Sequence, residues 1–299
     1  MISGGNGEEV PPVPIPNTEV KLFSADDTWL DTARESRSPP DSINCSMKML
    51  QFFFISESER KHWMITLDRA EKHFNVKRDG ISIGKVGFRC NPFHQRNAYL
   101  DFDLCEYNCD DARSLFQKLS NELEKPLQTM ISSGDHRMQD YLLAGGFACK
   151  RRCYEVEATR DEYLGNWSIQ ELSIACCGDM KYAACCNLMY AYYQRTHEEI
   201  NPLTVTLEQF IDAMPDQAYY QEIDGCLNHI AFFEDNEIAY VATKDDRLFK
   251  EFAAAVVSCI LSEHQCVNFE SDDCDSAAMI LRSLFLHDDE SYDTYIYDK

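Results

Sequence analysis

The sequence predicts a mixed α/β protein made of two similar halves in tandem, each a mostly antiparallel sheet flanked by helices. Asp79-Gly80 and Asp224-Gly225 each stand between short apolar runs, and Asp-Gly in that setting is a strong local signal for a β-hairpin. After each turn the pattern gives strand, helix, strand, helix, strand. This repeated order of elements favours a duplicated αβ unit.

The elements of the first half follow from local periodicity. Ala112, Leu115, Phe116 and Leu119 recur at helical spacing, which predicts a helix over 110–123. The predicted elements, in order, are a short strand and helical turn within 20–34, an apolar run at 47–55, an amphipathic helix at 56–70, a hairpin at 73–89, a strand at 98–104 and the helix at 110–123.

The segment 127–158 closes the first half with a strand, a helix and a second strand. Asp135 is the expected N-cap of the helix, because its carboxylate can accept the free N–H groups of the first turn. Gly145 and Gly146 stand where the helix must end, and glycine adopts the left-handed conformation of a helix C-terminus at little cost. Phe147 then begins a strand that carries Tyr154.

The second half repeats this layout after a polar stretch. The predicted organisation is a flexible tail at 1–19, a first domain at 20–158, a linker at 159–178 and a second domain at 179–299. The expected elements of the second domain are helices at 179–195 and 206–214, a hairpin at 219–233, a strand at 237–242, a helix at 246–261, a strand at 266–269, a helix at 275–286 and a strand at 292–297.

Composition limits the classes of partner. The chain of 299 residues has 51 acidic and 28 basic residues, a formal net charge of −23. Such a field repels phosphate backbones and anionic lipid, so neither nucleic acid nor a membrane is an expected partner, whereas cationic amines are attracted. The 14 cysteines and the absence of a recognisable secretory signal favour reduced thiols in the cytoplasm. No metal is expected, because Cys105 and Cys109 fit zinc-ligand spacing only weakly.

The segments Ala144-Gly145-Gly146-Phe147 and Arg151 to Val156 carry a resemblance to a known family. A helix that ends in Gly-Phe before a strand ending in Tyr resembles the C-terminal half of the GNAT N-acetyltransferase superfamily. The whole chain resembles a tandem GNAT protein. The resemblance implies an acyl-coenzyme A-dependent N-acyltransferase that uses acetyl-coenzyme A and acts on an amine of a small molecule or peptide.

The resemblance also implies where coenzyme A would bind. In the family a glycine-rich loop at a helix N-terminus holds the coenzyme diphosphate through backbone N–H groups and the helix dipole. The corresponding segment here is 106–113, and the expected contacts at this end of the strand and in the loop are Leu104, Cys105, Asn108 and Arg113. This loop has no glycine and places Asp110 and Asp111 at the helix start; 243–248 in the second half is likewise acidic and without glycine.

Three catalytic candidates follow from the same resemblance. The family protonates the leaving thiolate with a tyrosine before the Gly-Phe, and Tyr141 lies one residue from that position. Asp101 and Asp103 share one face of the fourth strand, where one could act as the general base for an amine. The alternatives are a packed core tyrosine and a solvated strand face. The alternative function is a GNAT-like binding or interaction protein without catalysis.

Overall fold

The computed structural model describes residues 63–168 and 171–298. The predicted tail at 1–19, the strand and helical turn within 20–34 and the apolar run at 47–55 lie outside the described residues. Within them the mixed α/β prediction is confirmed: twelve strands form a mostly antiparallel sheet that is flanked by six α-helices.

From residue 63 onward, where the description begins, the first half contains six strands and two helices. The Asp79-Gly80 hairpin is confirmed: β2 and β3 pair around it, and both turn residues have positive φ. The elements are β1 (Ile65–Arg69), β2 (His73–Arg78), β3 (Ile81–Arg89), β4 (Ala98–Leu104), α1 (Cys109–Leu123), β5 (Leu127–Ser132), α2 (His136–Gly145) and β6 (Ala148–Thr159).

The second half contains the other six strands and four helices. Asp224-Gly225 again forms the hairpin turn, as predicted, between β8 and β9. The elements are β7 (Ser173–Cys176), α3 (Met180–His197), α4 (Leu207–Ile211), β8 (Gln217–Ile223), β9 (Cys226–Glu234), β10 (Glu237–Thr243), α5 (Asp246–Glu263), β11 (Cys266–Asp272), α6 (Ser276–Arg282) and β12 (Tyr292–Tyr297).

Two predicted segments differ from the structure. The helix predicted at 56–70 is wrong over its described end, where β1 pairs antiparallel with β2. Ile65 is buried and Met64 is exposed, so the apolar positions follow a strand there rather than a helix. The segment 159–178, predicted as a linker, contains β7 at the outer edge of the sheet.

The two halves share one sheet through an exchange of their last strands. The strand order is β1-β2-β3-β4-β5-β12-β6-β11-β10-β9-β8-β7. The last strand of the second half, β12, pairs with β5 of the first, and the last strand of the first half, β6, pairs with β11 of the second. The order of strands in one half therefore mirrors that in the other about the β12–β6 pair.

Each half nevertheless keeps its own hydrophobic core. Phe116, Tyr141 and Leu142 of the two helices pack on β2 to β5 of the first half, and Tyr295 reaches this core from β12. The second core is built on α3, α5 and α6 and takes Val156 and Ala158 from β6. The exchanged strands thus contribute apolar side chains to the core of the opposite half.

The capping residues of α2 behave as the sequence predicts. The Asp135 carboxylate accepts from the Met138 N–H at 3.0 Å. At the other end Gly146 has φ +101°, and its N–H reaches the carbonyls of the last turn. These contacts fix the start and the end of the helix that carries Tyr141.

Candidate functional site

The sheet opens at two places where parallel strands diverge. β4 and β5 pair only at Ala98–Leu127 and Tyr99–Gln128, and β10 and β11 pair only at Glu237–Asn268. Both pairs are joined by a crossover helix, α1 or α5, that begins just beyond the carboxyl end of β4 or β10. In open α/β sheets ligands bind in the crevice at such ends. Each half therefore presents one candidate crevice.

The first crevice is bordered by the loop before α1. Asn108 is the N-cap of α1, and its side chain accepts the Asp110 N–H at 3.0 Å. Of the other residues predicted to contact coenzyme A, Leu104 is buried, and Cys105 and Arg113 are exposed. The helix therefore begins with one of its free N–H groups already satisfied by the protein.

A buried ion pair lies directly behind this helix start. The Arg78 Nε donates to Asp111 Oδ2 at 2.5 Å, and Arg78 Nη1 donates to Glu106 Oε2 at 2.9 Å. Asp111 is fully buried, while Glu106 is exposed on the loop. One guanidinium thus bridges the loop and the first turn of α1, so its charge is already balanced by two carboxylates.

Tyr141 lies in the core beside this ion pair. It is 1% exposed, and its hydroxyl donates to Asp111 Oδ1 at 3.5 Å. Burial raises the pKa of the Tyr141 phenol above its ordinary value, and the charge of Asp111 adds to the effect. Its ring packs edge-on against Phe116 at 5.3 Å between centroids. The surroundings of Tyr141 are those of a packing residue with a satisfied hydroxyl.

Asp101 and Asp103 lie together on the exposed face of β4, as their spacing predicts. Asp103 Oδ2 is 3.3 Å from Lys85 Nζ, and Asp101 Oδ2 is 3.7 Å from Arg89 Nε, both on neighbouring β3. These cross-strand pairs belong to a solvated surface, where an ion pair is worth little. Neither carboxylate shares a hydrogen-bond network with Tyr141 in the described part of the chain.

The second crevice has a similar acidic helix start. The Asp245 carboxylate accepts from the Arg247 N–H at 3.1 Å and is also bound by the Arg247 guanidinium, with Nη2 at 2.6 Å. These hydrogen bonds lower the pKa of Asp245 to about 2. Behind it, buried His229 contacts Thr243 Oγ1 through Nδ1 at 2.8 Å. The N-terminus of α5 is therefore capped by an ionised carboxylate.

Between the two halves lies a buried polar cluster that the sequence does not indicate. Arg151 Nη1 of β6 donates to Asp272 Oδ2 of β11 at 3.1 Å and contacts His197 Nε2 at 3.2 Å. Arg151 Nη2 donates to Thr294 Oγ1 of β12 at 3.3 Å. Arg151 is the central residue of the basic run 150–152, and it is paired inside the protein.

A small cavity of about 30 Å³ adjoins this cluster, between β10 and β11. Tyr193 stacks on His197 at 3.9 Å between ring centroids, and both line the cavity with Asp272 and Asp275. Burial lowers the pKa of His197 well below its ordinary value. A cavity of this size holds a water molecule but not an acyl chain. The second crevice is therefore closed around its own side chains.

The residues at both helix starts do not fit a coenzyme diphosphate. A diphosphate needs free N–H groups and positive potential at a helix N-terminus. At α1 the Asp110 N–H donates to the Asn108 side chain, and the first turn carries Asp110 and Asp111. At α5 the Arg247 N–H donates to Asp245, and the first turn carries Asp246. Two basic side chains at these starts, Arg78 and Arg247, are already paired with acidic side chains.

Metal ligands and membrane-spanning helices do not appear in the described residues. No group of three or more His, Cys, Asp or Glu side chains within 63–168 and 171–298 is arranged to hold a metal ion. Across that same part of the chain, no helix has the length and apolar character needed to cross a membrane.

The architecture defines a class: two αβ units, each with a splayed parallel strand pair and a crossover helix, joined through exchanged last strands. Solved structures similar to this chain include GCN5-related N-acetyltransferases, from the family that the sequence resembles. One from Sphaerobacter thermophilus aligns with a TM-score of 0.47 and 11% identity over 77% of this chain and 82% of that chain. One from Kribbella flavida gives 0.42 and 11% over 79% and 90%.

A third similar structure is an acetyltransferase of the GNAT family from Colwellia psychrerythraea, with a TM-score of 0.42 and 9% identity over 76% of this chain and 85% of that chain. No protein-family model matches the chain, and no curated protein matches it. Identities this low say nothing about chemistry, so the function must be inferred from the geometry of the two helix starts.

Proposed function

We propose that this protein uses a duplicated N-acetyltransferase fold to bind a cationic, amine-bearing ligand without transferring an acyl group from acyl-coenzyme A. The observation that carries the proposal is the same in both halves. The helix start that would receive a diphosphate is capped by the protein's own side chains and carries carboxylates. Because α1 and α5 both begin with a side-chain cap and acidic residues, the feature does not depend on one loop.

Electrostatics at the helix starts disfavours an anionic ligand. Two unit negative charges at about 4 Å repel by about 4 kcal/mol at the effective dielectric of a protein surface. A diphosphate beside the exposed Asp110 meets that repulsion, and Asp111 and Glu106 already balance the charge of Arg78. The net charge of −23 acts in the same direction over longer distances and favours cations.

The second candidate is an acyl-coenzyme A-dependent N-acyltransferase that works in the first half. A specific observation favours it: α1 crosses over between splayed strands, and Tyr141 lies within hydrogen-bonding distance of the first turn of that helix. In this candidate the substrate is a small amine or a peptide, and Tyr141 is the proton donor.

Release of free coenzyme A separates the two candidates. The full chain is incubated with acetyl-coenzyme A and a panel of primary amines, and thiol release is followed against a blank without protein. The proposal expects the blank rate with every amine. A rate above the blank that is lost in Tyr141→Phe overturns it in favour of the transferase.

A further inference from the structure

His197 lies inside the junction of the two halves, at the last position of α3, and is 2% exposed. Its Nε2 is 3.2 Å from Arg151 Nη1, and its Nδ1 is 3.1 Å from the Tyr193 carbonyl oxygen. Because a guanidinium can only donate hydrogen bonds, Nε2 must present its lone pair to Arg151. The ring proton is therefore on Nδ1, where it can be donated to that carbonyl, and the imidazole is neutral.

A second proton on His197 would conflict with Arg151. The proton would have to bind Nε2, so that two donors would face each other across 3.2 Å. Asp272 Oδ2 lies 3.7 Å from Nε2, beyond hydrogen-bonding distance, and it already accepts from Arg151 Nη1 at 3.1 Å. The pair of Arg151 and Asp272 is neutral as a unit, so a charged His197 would add a net positive charge to the interior, which is costly.

The ionisable groups on the other side of the ring are neutral near pH 7. Tyr193 stacks on His197, and the His94 ring, from the loop between β3 and β4, lies 6.0 Å away between centroids. His94 Nε2 contacts the Tyr193 hydroxyl at 3.1 Å. Burial lowers the pKa of His94 to about 4, and burial raises the pKa of Tyr193 and of Tyr240 on β10. These groups therefore offer no negative charge to a protonated His197.

Two further carboxyl groups line the small cavity beside His197, and both are engaged with other side chains. Asp275 at the start of α6 accepts from the Tyr192 hydroxyl at 2.6 Å. Glu270 of β11 lies 3.9 Å from Cys153 Sγ through its Oε2. The imidazole is thus held between Arg151 and the Tyr193 carbonyl in a form that has no place for another proton.

We propose that this cluster is an acid-sensitive latch, which holds the two halves together while His197 is neutral and loosens when His197 takes up a proton. The new N–H on Nε2 repels the Arg151 guanidinium. Displacement of Arg151 breaks its hydrogen bonds to Asp272 of β11 and to Thr294 of β12. The exchanged strand β12 therefore loses a side-chain anchor at its junction with β6. This inference is independent of the two candidate functions.

Urea unfolding of the natural protein and of His197→Gln between pH 7.5 and pH 5 tests the latch. Glutamine can accept from Arg151 and donate to the Tyr193 carbonyl without titrating. A histidine in the unfolded chain binds a proton below about pH 6.5, whereas the latch excludes it. The unfolding constant of the natural protein relative to the variant should therefore rise about thirtyfold from pH 7.5 to pH 5.

His136→Gln on α2 is the matched control, because His136 is exposed. Its unfolding constant relative to the natural protein should stay constant over the same range. His94 and Asp275 are present in all three proteins, so their own titration cancels in the ratios. Amide hydrogen exchange locates the loosening: between pH 7.5 and pH 5 the β12 amides should lose protection relative to the amides of α5 in the natural protein.

Nitrogen chemical shifts of the histidine rings in the natural protein at pH 6 test the starting point without a variant, and they should show His197 neutral with its proton on Nδ1. A charged His197 or a proton on Nε2 at that pH overturns the latch. A constant ratio between the natural protein and His197→Gln, or unchanged protection of β12 relative to α5, also overturns it. If His197→Gln does not fold, the ring shifts and the exchange of β12 decide.

Discussion

Arg151 and Asp272 form a buried ion pair that joins the two halves, with 3.1 Å between Nη1 and Oδ2. Arg151 lies on the last strand of the first half, and Asp272 ends the strand of the second half with which that strand pairs. His197 and Thr294 complete the cluster from α3 and β12. The cluster therefore links β6, β11, β12 and α3 at the place where the two halves exchange their last strands.

Removing one partner of this pair should destabilise the whole protein. Arg151→Ala leaves Asp272 charged and buried, which costs about 3–5 kcal/mol, whereas replacing both residues by apolar ones costs much less. Urea unfolding of Arg151→Ala and of the double variant Arg151→Met with Asp272→Leu measures the difference. A loss below about 1 kcal/mol in Arg151→Ala would show that the pair does not stabilise the junction.

Asp275 should give the protein a specific pH dependence. Burial raises the pKa of this N-cap carboxyl to about 6, against about 3.9 in an unfolded chain. The folded state therefore holds the proton more tightly. The resulting stabilisation is complete below about pH 4 and is lost as the pH rises through 6, a change on the order of 3 kcal/mol.

Asp275→Asn is the matched control for that effect, because asparagine also caps helices and can accept from the Tyr192 hydroxyl. The free energy of unfolding of the natural protein minus that of the variant should fall between about pH 4 and pH 7. A difference that stays constant across this range would mean that Asp275 titrates normally.

Gly84 should tolerate no side chain. It has φ +130°, and a Cβ atom added there would lie 2.2 Å from the Asp103 carbonyl oxygen across the β3–β4 ladder. Gly80 has φ +83° but open space around it. Gly80→Ala should cost about 1–2 kcal/mol from backbone conformation alone, and Gly84→Ala clearly more because the strands must separate. Equal losses in thermal unfolding would argue against this close approach.

Tyr141→Phe should lower the free energy of unfolding only slightly. It should not change the rate of coenzyme A release, because the proposed function gives Tyr141 no catalytic role. The phenol has one described hydrogen bond, to Asp111, whose loss costs about 0.5–1.5 kcal/mol. Chemical unfolding measures this loss of stability. A loss of several kcal/mol would show that the hydroxyl supports more of the Arg78–Asp111 network than its single contact indicates.

The features that could be predicted from the sequence are the local ones. Asp79-Gly80 and Asp224-Gly225 each determine a hairpin turn through two adjacent residues. Asp135 caps its helix by accepting an N–H from a residue three positions later. The repeat followed from these local units. The β1 segment is a strand although its sequence favours a helix, because Trp63, Met64 and Leu67 also fit helical spacing over so short a run.

The features that could not be predicted are long-range. Arg151 and Thr294 are 143 positions apart, and nothing near either residue indicates that β12 inserts between β5 and β6. The acidic helix starts were visible in the sequence. Only the structure shows that the Asp111 side chain turns inward to Arg78, 33 positions earlier in the chain. The sequence does not indicate this contact, because a carboxylate in the first turn of a helix ordinarily faces solvent.

Calorimetric titration of the full chain with acetyl-coenzyme A decides whether the acidic helix starts exclude the coenzyme. We predict no saturable heat for the natural protein. Asp111→Asn is the informative variant, because it leaves Arg78 with only Glu106 as a charged partner and so raises the positive potential at the start of α1. The account is contradicted if acetyl-coenzyme A binds the natural protein saturably and a bulky substitution of Cys109 or Asp110 abolishes that binding. The protein's own acidic side chains would then not exclude the diphosphate.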